Sequence, residues 1–409
     1  MTIDLRVLQL SEWDDFYGKL TRAFGGVPVS DEERELWISL AEPKRSIAAW
    51  DGPEIVGTAG SVTFQVSVPG GGMVPAAGVT LVSVAATHRR RGVLTSMMRR
   101  QLEDVHAWGE PLAVLNASEP AIYGRFGYGV ATQRMTVDID TVHARIEAPE
   151  GVDDVRLRFA EVADVADACE AVYLRSIGSR PGMLARTPGW EGMQLLDAPS
   201  QRGGGSPMQC VVAERDGEIV GFVRFHNKPD WEERGPKGRI TLRQIDALDP
   251  VAYAALWRFL FSVDLTTSVT ARNLPADDPL LHLVNDVRRC QVLIRDGLFV
   301  RLVDVGAALE ARTYQTPLSV VFEVEDSFCP WNAGRWRLTG DAKGATCERT
   351  DEPADLALTV RELGAAYLGG VSLSALAGAG RVRELRRGAL GEASTAFAST
   401  VAPWLPHGF

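Results

Sequence analysis

The first part of the chain alternates between helical and strand patterns of apolar residues. Apolar positions at helical spacing predict two short helices over residues 10–23 and 30–41. Ser30 begins the sequence S-D-E-E, which is typical of a capping box at a helix N-terminus. Residues 46–50 and 54–66 are rich in β-formers and flank the turn sequence D-G-P. The pattern predicts two helices followed by a β-hairpin.

The next part of the chain predicts a strand, a helix and a second strand. Residues 79–85 form a β-branched, mostly apolar run, which indicates a buried strand. Apolar residues then recur at helical spacing over residues 93–108, and a short apolar run follows at residues 112–115. A loop dense in glycine covers residues 124–129. This order is typical of an α/β unit.

A short sequence occurs twice in the chain. DGPEIVG at residues 51–57 recurs as DGEIVG at residues 216–221. So short a match can arise by chance, but each copy follows an apolar strand and precedes a strand and an amphipathic helix. In the second copy these elements are expected at residues 238–247 and 251–261. We therefore predict two related α/β units.

The C-terminal part of the chain follows a different pattern, without a phosphate-binding glycine motif. A mixed α+β domain is predicted there, entered through the apolar run 298–303. Its predicted elements are a helix at 307–311, strands at 319–325, 335–338 and 357–360, and helices at 361–368, 372–377 and 395–401. The chain as a whole is predicted to be mixed α/β, with domains at residues 1–150, 151–298 and 299–409.

Composition narrows the class of protein. The 409 residues are 45% hydrophobic and 23% charged, as in folded globular proteins. No long apolar run and no signal-peptide pattern is present, so no membrane span is predicted and a cytoplasmic location is expected. The five cysteines are far apart without a CxxC pair, so neither a metal site nor a disulfide framework is predicted. A net charge of −10 argues against nucleic acid as a partner and is compatible with a cationic substrate.

The stretch HRRRGVLTSMMRR, residues 88–100, places five arginines at the start of one helix of this acidic chain. Glycine allows close backbone approach, while free N–H groups and arginines neutralise phosphate charge. The stretch therefore predicts a pyrophosphate site, although a solvated arginine-rich helix start has the same appearance. Neither G-x-G-x-x-G nor G-K-[ST] is present, which disfavours NAD and ATP.

The second unit differs at the corresponding helix. There the sequence reads Ala247-Leu248-Asp249-Pro250, without arginine or a glycine turn. Asp249 is expected to occupy the helix N-terminus with its own carboxylate. Anion binding is therefore predicted for the first unit alone.

Two motifs of the first unit resemble a known family. VSVAATHRRRGVL, residues 82–94, resembles the acyl-CoA motif R/Q-x-x-G-x-G/A of the GNAT superfamily of N-acetyltransferases. Arg89 and Gly92 match that motif, and Leu94 departs from its last small residue. ASE at 117–119 with IYGRFGYG at 122–129 resembles the enhanced intracellular survival (Eis) type. The resemblance covers the whole chain. It is strong over residues 79–130, and elsewhere it lies mainly in the order and spacing of the elements.

The resemblance implies tandem GNAT folds, of which only the first is active, followed by a sterol-carrier-like α+β domain. It also implies acetyl-CoA as co-substrate, no metal, a small-molecule primary amine as acceptor, and a hexamer built from trimers. The strand backbone would pair with the pantetheine arm, and the arginine turn would hold the pyrophosphate. The residues that it assigns to the cofactor are Val82, Ser83, Val84, Arg89, Arg90, Arg91, Gly92, Val93, Leu94, Thr95, Ser118 and Glu119.

The resemblance also implies catalytic roles. Tyr123 matches the general acid that protonates the departing CoA thiolate. The phenol has a pKa of about 10 and the thiol that forms has a pKa of about 8.5, so the proton can be transferred with little loss of driving force. Tyr128 is expected to pack. The C-terminal carboxylate of Phe409 would be the base, while a mere plugging role for Phe409 and a basic role for His407 are the alternatives. No cysteine lies near these motifs in the sequence, so direct transfer is expected.

The acceptor amine remains open between several classes. Phe24 and Trp37 are candidate substrate contacts, although Trp37 also has the spacing of a core residue. Family members known for acetylating aminoglycosides carry acidic residues where this chain has FGGV at 24–27 and Gly408. An aminoglycoside-type amine is the first expectation, and a lysine peptide or a small amine is the alternative. A non-catalytic lipid carrier, using the apolar residues 363–376, is the alternative from another class.

Overall fold

The structure is a computed structural model that describes residues 3–409. Its strands are β1 (Asp4–Val7), β2 (Ile47–Asp51), β3 (Glu54–Ser67), β4 (Met73–Val84), β5 (Leu112–Asn116), β6 (Gly129–Val130), β7 (Gln133–Asp140), β8 (Arg156–Ala160), β9 (Leu184–Ala185), β10 (Gln209–Arg215), β11 (Glu218–Lys228), β12 (Trp231–Glu232), β13 (Gly235–Pro236), β14 (Gly238–Ala247), β15 (Thr266–Pro275), β16 (Leu293–Asp296), β17 (Leu298–Leu302), β18 (Leu318–Glu325), β19 (Gly334–Asp341), β20 (Gly344–Arg349), β21 (Leu356–Thr359) and β22 (Val382–Glu384). Its α-helices are α1 (Trp13–Ala23), α2 (Asp31–Leu40), α3 (Val93–Ala107), α4 (Pro120–Tyr123), α5 (Ala166–Ser176), α6 (Pro250–Phe261), α7 (Leu280–Leu283), α8 (Val305–Glu310), α9 (Val360–Ala366), α10 (Leu373–Gly378) and α11 (Ala389–Phe397). The fold is mixed α/β, as predicted.

The described chain divides into two compact units. The first combines residues up to Thr132 with Arg180–Met193 and Asp296–Phe409, and the second combines Gln133–Ser179 with Gln194–Arg295. The first unit holds an eight-stranded and a five-stranded sheet, and the second holds a seven-stranded sheet. The division of the chain between the sheets does not coincide with the predicted domain boundaries at residues 150 and 298. Strand β7 belongs to the seven-stranded sheet, and β17 belongs to the eight-stranded sheet.

The eight-stranded sheet has the order β1-β2-β3-β4-β5-β17-β6, with β9 paired to β3. Helix α3 packs on one face of this sheet. Its buried residues Met97, Met98 and Leu102 lie in one apolar cluster with Ala77 and Val79 of β4. The helical spacing of these apolar side chains explains why the stretch after the arginines folds as an amphipathic helix.

Strands β4 and β5 separate part-way along their length. They pair in parallel only from Ala76 to Gly78, opposite Leu112–Val114. Beyond Gly78, β4 continues to Val84, whereas β5 stays paired with β17 as far as Asn116. Leu81 has a φ of 53° at a register shift between β3 and β4, which is a bulge in β4. Beyond Gly78, the edge of β4 that faces away from β3 therefore has no strand partner among residues 3–409.

The repeat predicted from the sequence is visible in strand register. In the β2–β3 hairpin, Ala49 pairs with Gly57, and a register shift follows at Trp50. In the β10–β11 hairpin, Ala213 pairs with Gly221, and a register shift follows at Glu214. The two hairpins carry the same irregularity at equivalent positions, which confirms the duplication.

The C-terminal segment forms the five-stranded sheet, in the order β20-β19-β18-β21-β22. Most of its predicted elements are confirmed within a few residues. The helix predicted at 395–401 was wrong, because α11 spans Ala389–Phe397. Arg312, which is 1% exposed, donates from Nη2 to the carbonyl oxygen of Phe397 at 2.9 Å, at the end of this helix. Arg312 and Phe397 are 85 residues apart in the sequence. The spacing of apolar residues around 395–401 therefore could not show that the helix ends at Phe397.

Candidate active site

A cavity of about 550 Å³ lies where the free edge of β4, the start of α3 and the residues after β5 meet. Of the residues predicted for the site, it brings together Phe24, Val82, Ser83, Val84, Arg89, Arg90, Gly92, Val93, Leu94, Thr95, Ser118, Glu119 and Tyr123. Arg91, Trp37 and Phe409 are not among the described residues that line it. Its further lining residues are Ala23, His88, Ile122 and Arg125.

The strand edge in the cavity offers backbone groups rather than a hydroxyl. The Ser83 hydroxyl is buried and lies 2.7 Å from the hydroxyl of Thr58, which in turn donates to the Leu81 carbonyl at 2.8 Å. Val82, Ser83 and Val84 line the cavity, and their strand pairs there with β3 on one edge but no longer with β5 on the other. Such an edge can bind an extended, amide-containing chain by strand-like pairing.

The arginine turn has the geometry of an anion site. Arg90 and Gly92 both have positive φ angles, 61° and 81°, and α3 begins directly after them. Gly92 gives no side-chain cap, and the first turn of α3 contains no acidic residue. The N–H groups of that turn are therefore left for a ligand, where the helix dipole also favours negative charge.

The charges around the cavity are predominantly positive. Arg89, Arg90 and Arg125 line it, against one carboxylate, Glu119. Arg125 was not predicted as a site residue, although its place within the IYGRFGYG motif is a signal that could have identified it. His88 lies 3.1 Å from the carboxylate of Asp51 in the β2–β3 turn, a contact that ties the arginine turn to the sheet.

The helix of the second unit has no such site. Asp249 accepts hydrogen bonds from the N–H groups of Val251 at 2.9 Å and Ala252 at 3.0 Å, at the start of α6. Arg215 donates to the same carboxylate at 2.9 Å. The prediction that this helix start is occupied by its own side chain is confirmed.

Tyr123 ends the short helix α4 and is half-buried at the cavity. Burial, and next the charge of Glu119, raise the pKa of Tyr123 above its ordinary value. Its ring lies edge-on to that of Tyr128, with centroids 5.9 Å apart. Tyr128 is 1% exposed and is part of an apolar cluster, as expected for a packing residue.

One cysteine lies near this motif in space, although none does in the sequence. Cys329 is buried in the same apolar cluster as Tyr128, and Tyr123 packs against that cluster. Burial raises the pKa of the Cys329 thiol to about 11. A thiol that stays protonated at neutral pH is a poor nucleophile, so direct transfer remains the better interpretation.

Phe409 and Trp37 belong to a row of four aromatic rings. The ring centroids of Phe409 and Phe64 are 5.1 Å apart, and those of Phe64 and Trp190 are also 5.1 Å apart. The ring centroids of Trp190 and Trp37 are 5.9 Å apart. All contacts in the row are edge-to-face. The tail is packed, as its apolar end indicated, but nothing in the sequence identified Phe64 and Trp190 as its partners.

The residues before Phe409 are anchored. The N–H of Trp404 donates to the carbonyl oxygen of Pro181 at 2.9 Å, and Leu405 and His407 are buried. Burial is the larger cause, and the positive charge of Arg186 the smaller one, of a pKa of His407 that is lowered to about 3. His407 is therefore neutral at physiological pH and a weak base, which disfavours it as the alternative proton acceptor.

Two absences apply to residues 3–409. No group of three or more His, Cys, Asp or Glu side chains is arranged to hold a metal ion in that part of the chain. No helix formed by the same residues is long and apolar enough to cross a membrane.

Known proteins resemble the chain in each of its parts. Residues 4–131 and residues 182–302 each match an acetyltransferase (GNAT) domain, and residues 305–406 match a sterol carrier protein domain. The chain is 66% identical over 409 residues to an uncharacterized N-acetyltransferase from Streptomyces avermitilis, with 100% of both chains covered. It is 32% identical over 414 residues to N-acetyltransferase Eis from Mycobacterium tuberculosis strain H37Ra, with 98% of each covered. The crystal structure of Eis1 from Mycobacterium abscessus is 34% identical, with a TM-score of 0.85 and 100% of both chains covered.

Proposed function

The chain belongs to the Eis-type N-acetyltransferases of the GNAT superfamily, and from this premise we propose that it acetylates a primary amine of aminoglycoside type. The transfer takes place directly from acetyl-CoA in the first GNAT domain. One observation carries the proposal: the free edge of β4, the uncapped start of α3 and Tyr123 line a single cavity.

The residues of the cavity fit acetyl-CoA, which supplies the activated acetyl group. The backbone of Val82–Val84 offers strand-like pairing to the amides of the pantetheine arm. Arg89, Arg90 and the N–H groups at the start of α3 offer charge and hydrogen bonds to the pyrophosphate. Arg91 does not line the cavity, so we assign it no direct contact with the pyrophosphate.

Tyr123 acts as the general acid for the departing thiolate. Its raised pKa keeps the phenol protonated at neutral pH, so the proton is present when it is needed. Ionisation of Tyr123 should therefore lower kcat only above about pH 10, which is the ordinary pKa of a tyrosine.

The carboxylate of Phe409 acts as the base for the amine. A free α-carboxylate has a pKa of about 3.3–3.7, but removal from water raises that pKa and so strengthens the base. Phe409 is half-buried, and its ring packs on Phe64 at the end of the aromatic row. Trp37, the half-buried ring at one end of this row, and Phe24, which lines the cavity, are the two side chains that we assign to contact with the amine.

A small amine and a lysine peptide are the two alternative acceptors. They are considered because this chain has FGGV at residues 24–27 and Gly408 where aminoglycoside-acetylating relatives carry acidic residues. The lipid-carrier alternative gains no support, because Leu363 and Leu373 of the apolar stretch are 0% exposed within the core. The hexamer implied by the family stays a prediction that light scattering can test.

The test measures CoA release from acetyl-CoA with kanamycin A, spermidine, a lysine peptide and phenethylamine as acceptors. We expect Tyr123→Phe to lower kcat at least about a hundredfold and leave the acetyl-CoA KM within about twofold, because general acid catalysis contributes about 10²–10⁴-fold. Tyr128→Phe is the matched control, with a small effect on kcat. Full activity of Tyr123→Phe would remove Tyr123 from the mechanism, and the amine with the highest kcat/KM decides between the acceptor classes.

A further inference from the structure

A buried ion pair lies beneath the loop that follows Tyr123. Arg301 of β17 donates from Nη2 to Asp326 at 2.6 Å, and the two side chains are 0% and 1% exposed. Arg301 also donates from Nε to the carbonyl oxygen of Phe126 at 2.9 Å and from Nη1 to that of Leu302 at 2.7 Å. The guanidinium therefore joins the Tyr123 loop, defined here as residues 123–129, to a carboxylate that follows β18.

The carboxylate of Asp326 is itself fully engaged. One oxygen accepts from the N–H groups of Phe328 at 3.2 Å and Cys329 at 2.9 Å, and the other accepts from the Asn332 amide at 3.1 Å as well as from Arg301. Asn332 in turn accepts from the N–H of Val305 at 3.0 Å. A network with every member satisfied holds its parts in one geometry in a low-dielectric interior.

The Tyr123 loop has no free space on the side of this network. Gly127 has a φ of 87°, and a Cβ atom there would lie 2.7 Å from the Arg301 Nε and 2.8 Å from Val360. A Cβ atom on Gly129 would lie 2.1 Å from the carbonyl oxygen of Arg361 in α9. Glycine allows the backbone of the loop to lie directly on β17 and α9.

The segment 326–332 also contacts helix α3, whose start lines the cavity. Arg99 donates to the carbonyl oxygen of Phe328 at 3.1 Å, and its guanidinium lies 4.5 Å from the centre of the Phe328 ring. His106 stacks on Trp331 with centroids 4.6 Å apart. One segment of the C-terminal domain thus contacts both the anion-binding helix and, through Arg301, the loop of the proposed acid.

We propose that Arg301 and Asp326 are positioning residues for Tyr123, so that a carboxylate of the C-terminal domain holds the loop of the general acid in place. The proposal rests on the proposed role of Tyr123. A general acid must lie within hydrogen-bonding distance of the atom that it protonates, and a misplacement of about 1 Å can cost about a hundredfold in rate. Arg301 sets this distance through the Phe126 carbonyl, three residues after the phenol.

The experiment is a double-mutant cycle between Arg301→Lys and Tyr123→Phe in the full-length protein. Lysine keeps the buried positive charge but lacks the Nε donor that binds the Phe126 carbonyl. We expect Arg301→Lys alone to lower kcat at least about tenfold and to leave the acetyl-CoA KM within about twofold. In the Tyr123→Phe background the same change should lower kcat by less than about twofold, since residues that act as a unit are not additive.

The matched control is Arg312→Lys. Arg312 is also a buried arginine of the C-terminal segment that donates to backbone carbonyls, but its partners are Thr313, Tyr367 and Phe397 rather than the Tyr123 loop. Its replacement should lower thermal stability and leave kcat per folded molecule within about twofold.

The outcomes separate the two proposals. If Tyr123→Phe is fully active, the proposed role of Tyr123 fails. If Tyr123→Phe is impaired but Arg301→Lys lowers kcat equally in both backgrounds, or leaves kcat unchanged in both, the positioning of Tyr123 by Arg301 is overturned. Should Arg301→Lys not fold, Gly127→Ala replaces it in the cycle, because the added methyl group displaces the loop from Arg301. Additivity of Gly127→Ala with Tyr123→Phe would then overturn the inference.

Discussion

Tyr123 and Tyr128 lie in one glycine-rich loop, yet their burial differs. Tyr123 is half-buried at the cavity, whereas Tyr128 is 1% exposed and its hydroxyl has no hydrogen-bond partner among the described residues. The sequence placed both near the site but ranked them by motif alone. At the residue scale, exposure to the cavity is the physical property that distinguishes a proton donor from a packing residue.

His407 supplies a pH-dependent contribution to stability. Its pKa in the folded state, about 3, lies below the ordinary 6.5, so the unfolded chain binds a proton that the folded chain does not. That stability is present above pH 6.5 and is lost as the pH falls from about 6.5 towards 3. From pH 7 to pH 5 the loss should be about 2 kcal/mol.

Urea unfolding at pH 7 and pH 5 measures this effect. In His407→Gln the free energy of unfolding should fall less between the two pH values, by about 2 kcal/mol. His282→Gln, at an exposed histidine outside the tail, is the control and should retain the dependence of the parent protein. Identical pH dependence in His407→Gln and the parent would contradict the assignment.

At the scale of elements, the two homologous helices α3 and α6 differ at their first turns. Helix α3 starts with Gly92 and no capping side chain, whereas Asp249 caps α6. This difference was readable from the sequence, because capping depends on residues adjacent in the chain. What the sequence did not resolve is which of the three consecutive arginines face the cavity.

Arg90 and Arg91, which are neighbours just before α3, allow a controlled comparison of two alanine substitutions. Arg90 lines the cavity and Arg91 does not, so Arg90→Ala should raise the acetyl-CoA KM about tenfold, and Arg91→Ala less than about threefold. The KM for the amine should be unchanged in both. Steady-state kinetics with each substrate varied tests this, and equal increases in both KM values for Arg90→Ala would argue against a phosphate-binding role.

Gly92 and Gly18 should respond in opposite directions to the same substitution. No atom lies within 4 Å of a Cβ at either position, but Gly92 has a φ of 81° and Gly18 lies inside α1. Gly92→Ala should therefore destabilise the protein by about 1–2 kcal/mol. Gly18→Ala should stabilise it by about 0.5–1 kcal/mol, and thermal unfolding of both variants tests the contrast.

At the scale of the whole first unit, residues from three distant parts of the chain build one sheet and its surroundings. Strand β17 pairs with β5 and β6, although residues 298–303 were expected to introduce the C-terminal domain. Residues 184–185 pair with β3, and Trp190 nearby joins the aromatic row of Phe409. The tail and the first GNAT domain are therefore parts of one compact body.

The tail permits a test of the proposed base. Two glycines added after Phe409 move the carboxylate by up to about 7 Å and leave the ring free to pack on Phe64. The extended protein should show kcat lowered at least about tenfold with an unchanged acetyl-CoA KM. Phe409→Ala keeps a terminal carboxylate and should instead lower stability, and undiminished kcat in the extended protein would exclude this carboxylate as the base.

The sequence by itself determined the local features of this protein. The helix after the arginine turn, the two hairpins, the absent cap of α3 and the Asp249 cap of α6 all follow from residues that are neighbours in the chain. Hydrophobic periodicity and helix capping depend on residues that are a few positions apart, so both can be recognised in a short stretch of sequence. The assignment of Tyr123 and of the cofactor residues came from motifs of the same short range, and all of these residues except Arg91 line one cavity.

Only the tertiary structure decided what distant residues contribute. It separated β4 from β5, inserted β17 into the first sheet, brought Cys329 beside the Tyr123 motif and paired Arg301 with Asp326. It also buried His407 and thereby lowered its pKa. These properties depend on burial and on contacts between residues far apart in the chain, which no local pattern encodes.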